Sequence, residues 1–162
     1  MTNTLKAVMT FILKKYPSKY ADEMSNARLT KIVYLADWKN CLENGETITS
    51  INWYFDNYGP FVNNIKKTAQ SYPDIFKIED ATNMYGQPKK IFKLKDNDIV
   101  VDLNKAQKSS ITSIVDETSK LYWKAFIKLV YSTHPVASSD RYSYLDLVAK
   151  SQEYKKIRES RV

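Results

Sequence analysis

The chain has 162 residues, with 25 Lys+Arg against 18 Asp+Glu and a formal charge of +7 at pH 7, a size that suits one folded domain with its own core. With 43% hydrophobic and 27% charged residues the balance is that of a globular protein and not of a disordered chain. Three scattered glycines, Gly45, Gly59 and Gly86, exclude a glycine-rich phosphate loop, and Cys41 as the only cysteine with His134 as the only histidine excludes an internal disulfide and a closed four-ligand zinc site.

Leu5, Val8, Met9 and Ile12 recur at helical spacing, with Phe11 and Leu13 widening the stripe, and Pro17 ends the first predicted helix. Lys14, Lys15, Tyr16 and Pro17 stand where a signal peptide would carry small residues for cleavage. No segment approaches the roughly 20 apolar residues of a membrane span, so a cytoplasmic protein is expected. A second helix is predicted from about Asn26 to Leu42, capped by Ser25, burying Leu29, Ile32, Val33 and Ala36 and leaving through Asn44-Gly45. Ser50 is expected to cap a short third helix carrying Trp53 and Tyr54, and Pro60 to start a fourth with Phe61, Ile65 and Ala69 on one side.

Beyond Ser71 the pattern changes from period 3.6 to period 2. Ile75 to Glu79 and Lys89 to Lys95 alternate apolar and polar around the turn-forming Asn83 to Pro88, which predicts an antiparallel hairpin. Asp102 or Asn104 is expected to open the next helix, with Ile111, Ile114 and Val115 inward. A further helix should carry Leu121, Tyr122, Ala125, Phe126, Leu129 and Val130 until Thr133-His134-Pro135 breaks it, and a last one should lie between Ser143 and Glu159 with Tyr144, Leu145 and Val148 buried. The predicted fold is therefore mainly α: a single helical domain over residues 1–162 with a small antiparallel β-hairpin insertion at about 75–95 (α+β) and a polar C-terminal tail at about 158–162.

Residues 105–162 hold 11 Lys+Arg and 6 Asp+Glu, so the basic excess sits mostly in the C-terminal helices. Lys150, Lys155, Lys156, Arg158 and Arg161 are the candidates for polyanion binding, and the same residues read equally as a solvated helix end whose charges complement the helix dipole. Twelve tyrosines raise the aromatic content to 13%. Tyrosine joins a large apolar area to a hydroxyl that wants a partner, a combination favoured at protein interfaces. In the cluster Trp53, Tyr54, Phe55, Tyr58 and Phe61, Trp53 and Phe61 are expected as core anchors, with Tyr54 or Tyr58 partly outside.

Chemistry is sparse. His134 precedes Pro135 at a helix exit, where packing or capping accounts for it better than general-base catalysis. Ser132, Thr133, Ser138, Ser139 and Asp140 lie near it in sequence but form no nucleophile turn. The carboxylate pairs Asp22-Glu23, Glu79-Asp80 and Asp116-Glu117 are adjacent in sequence and do not face one another on a helix. No enzyme activity, metal or cofactor is expected. Asp37, mid-helix among apolar neighbours, calls for a buried partner, with Tyr34 or a basic side chain the first expectation.

Leu29-Thr30-Lys31-Ile32-Val33-Tyr34-Leu35-Ala36-Asp37, followed by Gly45-Glu46-Thr47-Ile48-Thr49 and then Tyr58-Gly59-Pro60-Phe61-Val62, resembles the Panacea domain family, which includes SocA-like antitoxins and phage-associated GepA-like proteins. Lys31, Tyr34, Asp37, Gly45, Ile48, Trp53, Gly59 and Pro60 stand at the places of the family pattern, and Ser132-Thr133-His134-Pro135 is similar to the break in its C-terminal half. The resemblance spans about Ala27 to Val136. This chain departs from the family in having Val136-Ala137-Ser138-Ser139 where an aromatic residue and a glycine often follow the proline. The resemblance implies a helical fold with a small sheet insertion and a non-catalytic antitoxin whose partner is a cognate protein toxin encoded by an adjacent gene. Tyr54, Tyr58, Tyr142 and Tyr144 are the candidate contact residues. An adaptor that delivers the toxin to a protease and a nucleic-acid-binding regulator built on the basic C-terminal helices are the alternatives.

Overall fold

At the centre of the fold lies α2 (Asn26–Asn44), a helix buried on nearly every side. The computed structural model describes residues 2–161, with side chains from residue 4 on. The Ser25 side chain accepts from the Arg28 N–H to begin α2, and Gly45, at φ +79°, ends it by donating its N–H to the Cys41 carbonyl, so both predicted ends are where local chemistry puts them. Around α2 pack α1 (Thr2–Lys15), α3 (Asn64–Ser71), α4 (Lys105–Thr118) and α7 (Leu147–Ser160). A 3-10 turn over Ser18–Glu23 joins α1 to α2, and Asn104 opens α4 through a reciprocal capping box with Gln107. The stretch predicted to run from Leu121 is the shorter α5 (Trp123–Ser132), after which His134–Ala137 adds a single turn, α6.

The chain is thus mainly α with two small antiparallel sheets. One is the predicted hairpin, β3 (Phe76–Thr82) with β4 (Pro88–Leu94), in which Ile78 faces Phe92. The other replaces predicted helix. β1 (Trp53–Asp56) pairs with β2 (Gly59–Phe61) on one edge and with β5 (Ser143–Leu145) on the other, in the order β2-β1-β5.

Three expectations change with this second sheet. Ser50 caps no helix, because its own φ of +59° turns the chain into β1, where three successive aromatic residues suit a pleated, half-buried surface. Pro60 sits on the edge strand β2 opposite Phe55, a place that tolerates its missing N–H, and the helix it was expected to start begins at Asn64. Ser143 to Leu145 form β5 and not helix, which turns Tyr144 outward at 66% exposure while Leu145 is buried. The expected polar tail is helical through Ser160, with the Arg158 guanidinium over the Tyr154 ring; Val162 lies outside the described residues. Among the described residues no helix is long and apolar enough to cross a membrane.

Candidate functional site

The motif residues gather where α2 meets the three-stranded sheet. Asp37 is wholly buried, and both of its oxygens are taken: Oδ1 accepts from the N–H groups of Ile48 (2.8 Å) and Thr49 (3.0 Å), Oδ2 from the Trp53 indole N–H (2.9 Å) and the Thr49 hydroxyl. The predicted partner, Tyr34 or a basic side chain, is therefore wrong. The segment after Gly45 folds back over α2 and supplies backbone donors, which no pattern within the helix announces. Burial pushes the Asp37 carboxyl above the usual carboxylate range, and its four donors pull it back. Tyr34 packs edge-on against Trp53, with ring centroids 5.6 Å apart, and exchanges a 2.8 Å hydrogen bond with Thr133. Burial raises its phenol well above the ordinary value, so it stays neutral. Asp37, Thr49, Trp53, Tyr34 and Thr133 thus form one polar seam that ties α2 to β1 and to the start of α6.

His134 lies at the end of that seam with its Nε2 2.8 Å from Glu153 Oε1 and its ring beside Tyr154. The Ser132 and Ser138 hydroxyls donate to the backbone carbonyls of Leu129 and His134. Among the described residues no group of three or more His, Cys, Asp and Glu side chains is placed to hold a metal ion. Cys41 is buried and its thiol is pushed up to about 12 by desolvation first and by the nearby charge of Asp37 second, so it remains protonated.

The tyrosines singled out in the sequence all border the three-stranded sheet. Trp53 and Phe55 point into the core and Tyr54 between them points out, as the pleat requires. Across the outer face Tyr54 stands opposite Phe61 on β2 and Tyr144 on β5, with the Tyr54 and Tyr144 rings 5.1 Å apart. Phe61, expected as a core anchor, is half-buried on this outer row, because β2 is a strand and the register with Tyr54 decides its side. Tyr58, in the β1–β2 turn, is 80% exposed and Tyr142 62%. Tyr142 holds a left-handed backbone, φ +69°, while donating its N–H to the Phe55 carbonyl and its hydroxyl to Asn57. A non-glycine residue kept there costs about 1 kcal/mol, and here it pins the approach of β5 to the turn.

Beside the β2 edge the sheet borders a cleft of about 300 Å³ lined by Ala27 and Lys31 of α2, Asp56, Asn57, Tyr58, Phe61 and Trp123. Lys31 forms its floor. Its stem runs beneath Gly59, whose φ of +103° strains any residue that carries a side chain, although a Cβ there would meet Tyr131 Cε1 (3.4 Å) and Lys31 Cε (3.6 Å) only at ordinary contact distance. Sequence reasoning placed Lys31 in a motif but missed the cleft and Trp123. A signal existed: Leu121-Tyr122-Trp123 are three bulky apolar residues in succession, and one helical face cannot take all three.

The candidate polyanion residues are brought together only in part. Successive residues on a helix point about 100° apart, so Lys155, Arg158 and Arg161, three apart along α7 and its C-cap, share one face, whereas Lys156 lies on another, with Glu153 and Glu159 on either side of it. Lys150 is held by the Ser138 hydroxyl at 2.9 Å and lies 3.8 Å from Glu153.

No curated protein and no solved structure matches the chain. The family model described as "Antitoxin SocA-like, Panacea domain" matches residues 29–135, a span that holds the Asp37 seam, β1, β2 and the floor and walls of the cleft from Lys31 onward. By that match, which spans about two thirds of its length, the chain belongs to the SocA-like antitoxin family with the Panacea domain.

Proposed function

We propose that this protein neutralises a toxin in the cytoplasm by direct protein–protein contact through the outer face of the β2-β1-β5 sheet. The observation that carries the reading is the aromatic row Tyr144, Tyr54 and Phe61 with Tyr58 and Tyr142 exposed beside it. Exposed apolar area concentrated on one face marks an interaction surface, and tyrosine supplies such area at little cost in conformational freedom. The rigid Asp37 seam holds that row in place, which lowers the entropy lost on binding. The named alternative is nucleic-acid binding through the basic residues of α7 and its C-cap Arg161.

The test is growth rescue on coexpression with the product of the adjacent open reading frame, paired with a pull-down from the same cells. The wild type is expected to rescue growth and to hold the product. The double variant Tyr54→Ala/Tyr144→Ala is expected to keep its fold and lose both, since truncating central aromatic residues of an interface costs about 2 kcal/mol or more each. A double variant that rescues as well as the wild type removes this face from the contact. Toxin lifetime in the same cells separates occlusion from delivery to a protease: occlusion leaves it unchanged or longer, delivery shortens it.

A further inference from the structure

The floor of the cleft is chemically unusual. Lys31 is 2% exposed, yet among the described residues its ammonium enters no ion pair and no side-chain hydrogen bond, and no fully buried side-chain nitrogen is left without a partner. The Lys31 ammonium is therefore not sealed off from the cleft that the residue lines. Burial draws its pKa below the ordinary 10.5, and the charge of Asp56 partly restores it. Asp56 lines the same cleft and its Oδ1 accepts from the Asn57 N–H at 2.9 Å, but it forms no ion pair with Lys31. A partly desolvated cation framed by the side chains of Tyr58, Phe61 and Trp123 is complementary to an anion on an apolar stem.

We propose that this cleft receives a carboxylate-bearing side chain of the protein partner, with Lys31 as its counter-charge. The occupant follows from two features. The cleft shares Tyr58 and Phe61 with the aromatic surface and is continuous with it, and its volume of about 300 Å³ lies at the lower limit for a small-molecule site while sufficing for one side chain. The assignment rests on the reading that the partner is a protein toxin, and the experiment separates the two.

In the first arm, 3-phenylpropanoate and its uncharged analogue 3-phenylpropanamide are titrated into the full chain and followed through the backbone amide signals of Ala27, Asn57 and Phe61. The carboxylate is expected to bind at least about tenfold more tightly than the amide, and Lys31→Met to erase that preference while keeping the folded spectrum. Equal binding of the two probes overturns the proposal. In the second arm the complex with the adjacent gene's product is expected to weaken about tenfold on Lys31→Met and to be displaced by 3-phenylpropanoate. A Lys31→Met complex as tight as that of the wild type overturns the proposal. Probe binding without displacement also overturns it, because the cleft is then a site for a free carboxylate. The Tyr54→Ala/Tyr144→Ala variant distinguishes the failures: it is expected to lose the partner and still bind the probe, whereas a wild type that binds the probe and no partner refutes the toxin contact and the occupant drawn from it.

Discussion

Asp37 and Lys31 lie six residues apart on α2, about 9 Å along one helix, and both are removed from solvent, but their surroundings are opposite. The carboxylate has four donors and no open valence. The ammonium has no acceptor among the described residues and faces a cleft. A buried charge is tolerated when the fold supplies its hydrogen bonds, and one left unsupplied lowers stability. Arg28, one turn before Lys31, behaves like Asp37: its Nε donates to the Tyr16 hydroxyl at 2.9 Å, and its Nη2 to the carbonyls of Thr118 (2.9 Å) and Leu121 (2.7 Å), where the chain leaves α4 and approaches α5. Its guanidinium also lies over the Phe126 ring at 4.5 Å. The two satisfied charges fasten elements together, whereas the unsatisfied one is open to another molecule.

The comparison breaks if Asp37 proves dispensable. Asp37→Ala leaves the Trp53 indole, two backbone N–H groups and the Thr49 hydroxyl buried without an acceptor, and is expected to cost about 4 kcal/mol. That is a large part of the 5–15 kcal/mol that typically separates folded from unfolded chains. Urea unfolding is the measurement, with a lower midpoint and an unchanged slope expected. Asp37→Asn keeps one acceptor but turns an NH₂ group toward donors, so about half of that loss is expected.

Arg28→Met is next in size. It keeps an apolar stem against Phe126 and removes all three donated hydrogen bonds, for an expected loss of about 3 kcal/mol. The loss should be local before it is global, since the freed carbonyls belong to the exit of α4 and the entry of α5. Hydrogen exchange is expected to quicken at residues 119–126 while the β3–β4 hairpin stays protected. Uniform acceleration along the chain would show that Arg28 fastens nothing in particular.

What the sequence disclosed divides along the same line. Ser25, Asn44-Gly45 and the alternation of Ile91 to Lys95 announce their structures because cap, exit and pleat are local chemistry. The β2-β1-β5 sheet was hidden, because Trp53 pairs with Leu145 from the other end of the chain and three-residue strands carry too little pattern to be told from helix. For Asp37, composition showed that a partner was needed but not which, since donors from Ile48, Thr49 and Trp53 appear only after the chain turns back at Gly45. The tyrosine surface was legible as an excess of one residue type. The cleft was not, because its walls come from residues 27–31, 56–61 and 123, and the missing partner of Lys31 is a property of the assembled fold.

The smallest effect sharpens the comparison most, because its sign is reversed. Lys31→Met keeps the buried stem and deletes the unpaired charge, and is expected to stabilise the protein by about 1 kcal/mol, which at this length raises Tm by about 3 °C. The gain should depend on pH. Burial holds the folded pKa of Lys31 below its ordinary 10.5, so between those two values the unfolded chain binds more protons than the folded one. Stability of the wild type then rises with pH over that window through this residue. Lys31→Met lacks the contribution, so its advantage should be fully present below the lowered pKa and shrink toward pH 10.5. Thermal melts of the two proteins side by side across that range cancel the titration of every other lysine and tyrosine in the difference. A variant less stable than the wild type at pH 7 would mean that Lys31 is satisfied within the fold after all, as Asp37 is, and that its cleft needs no partner.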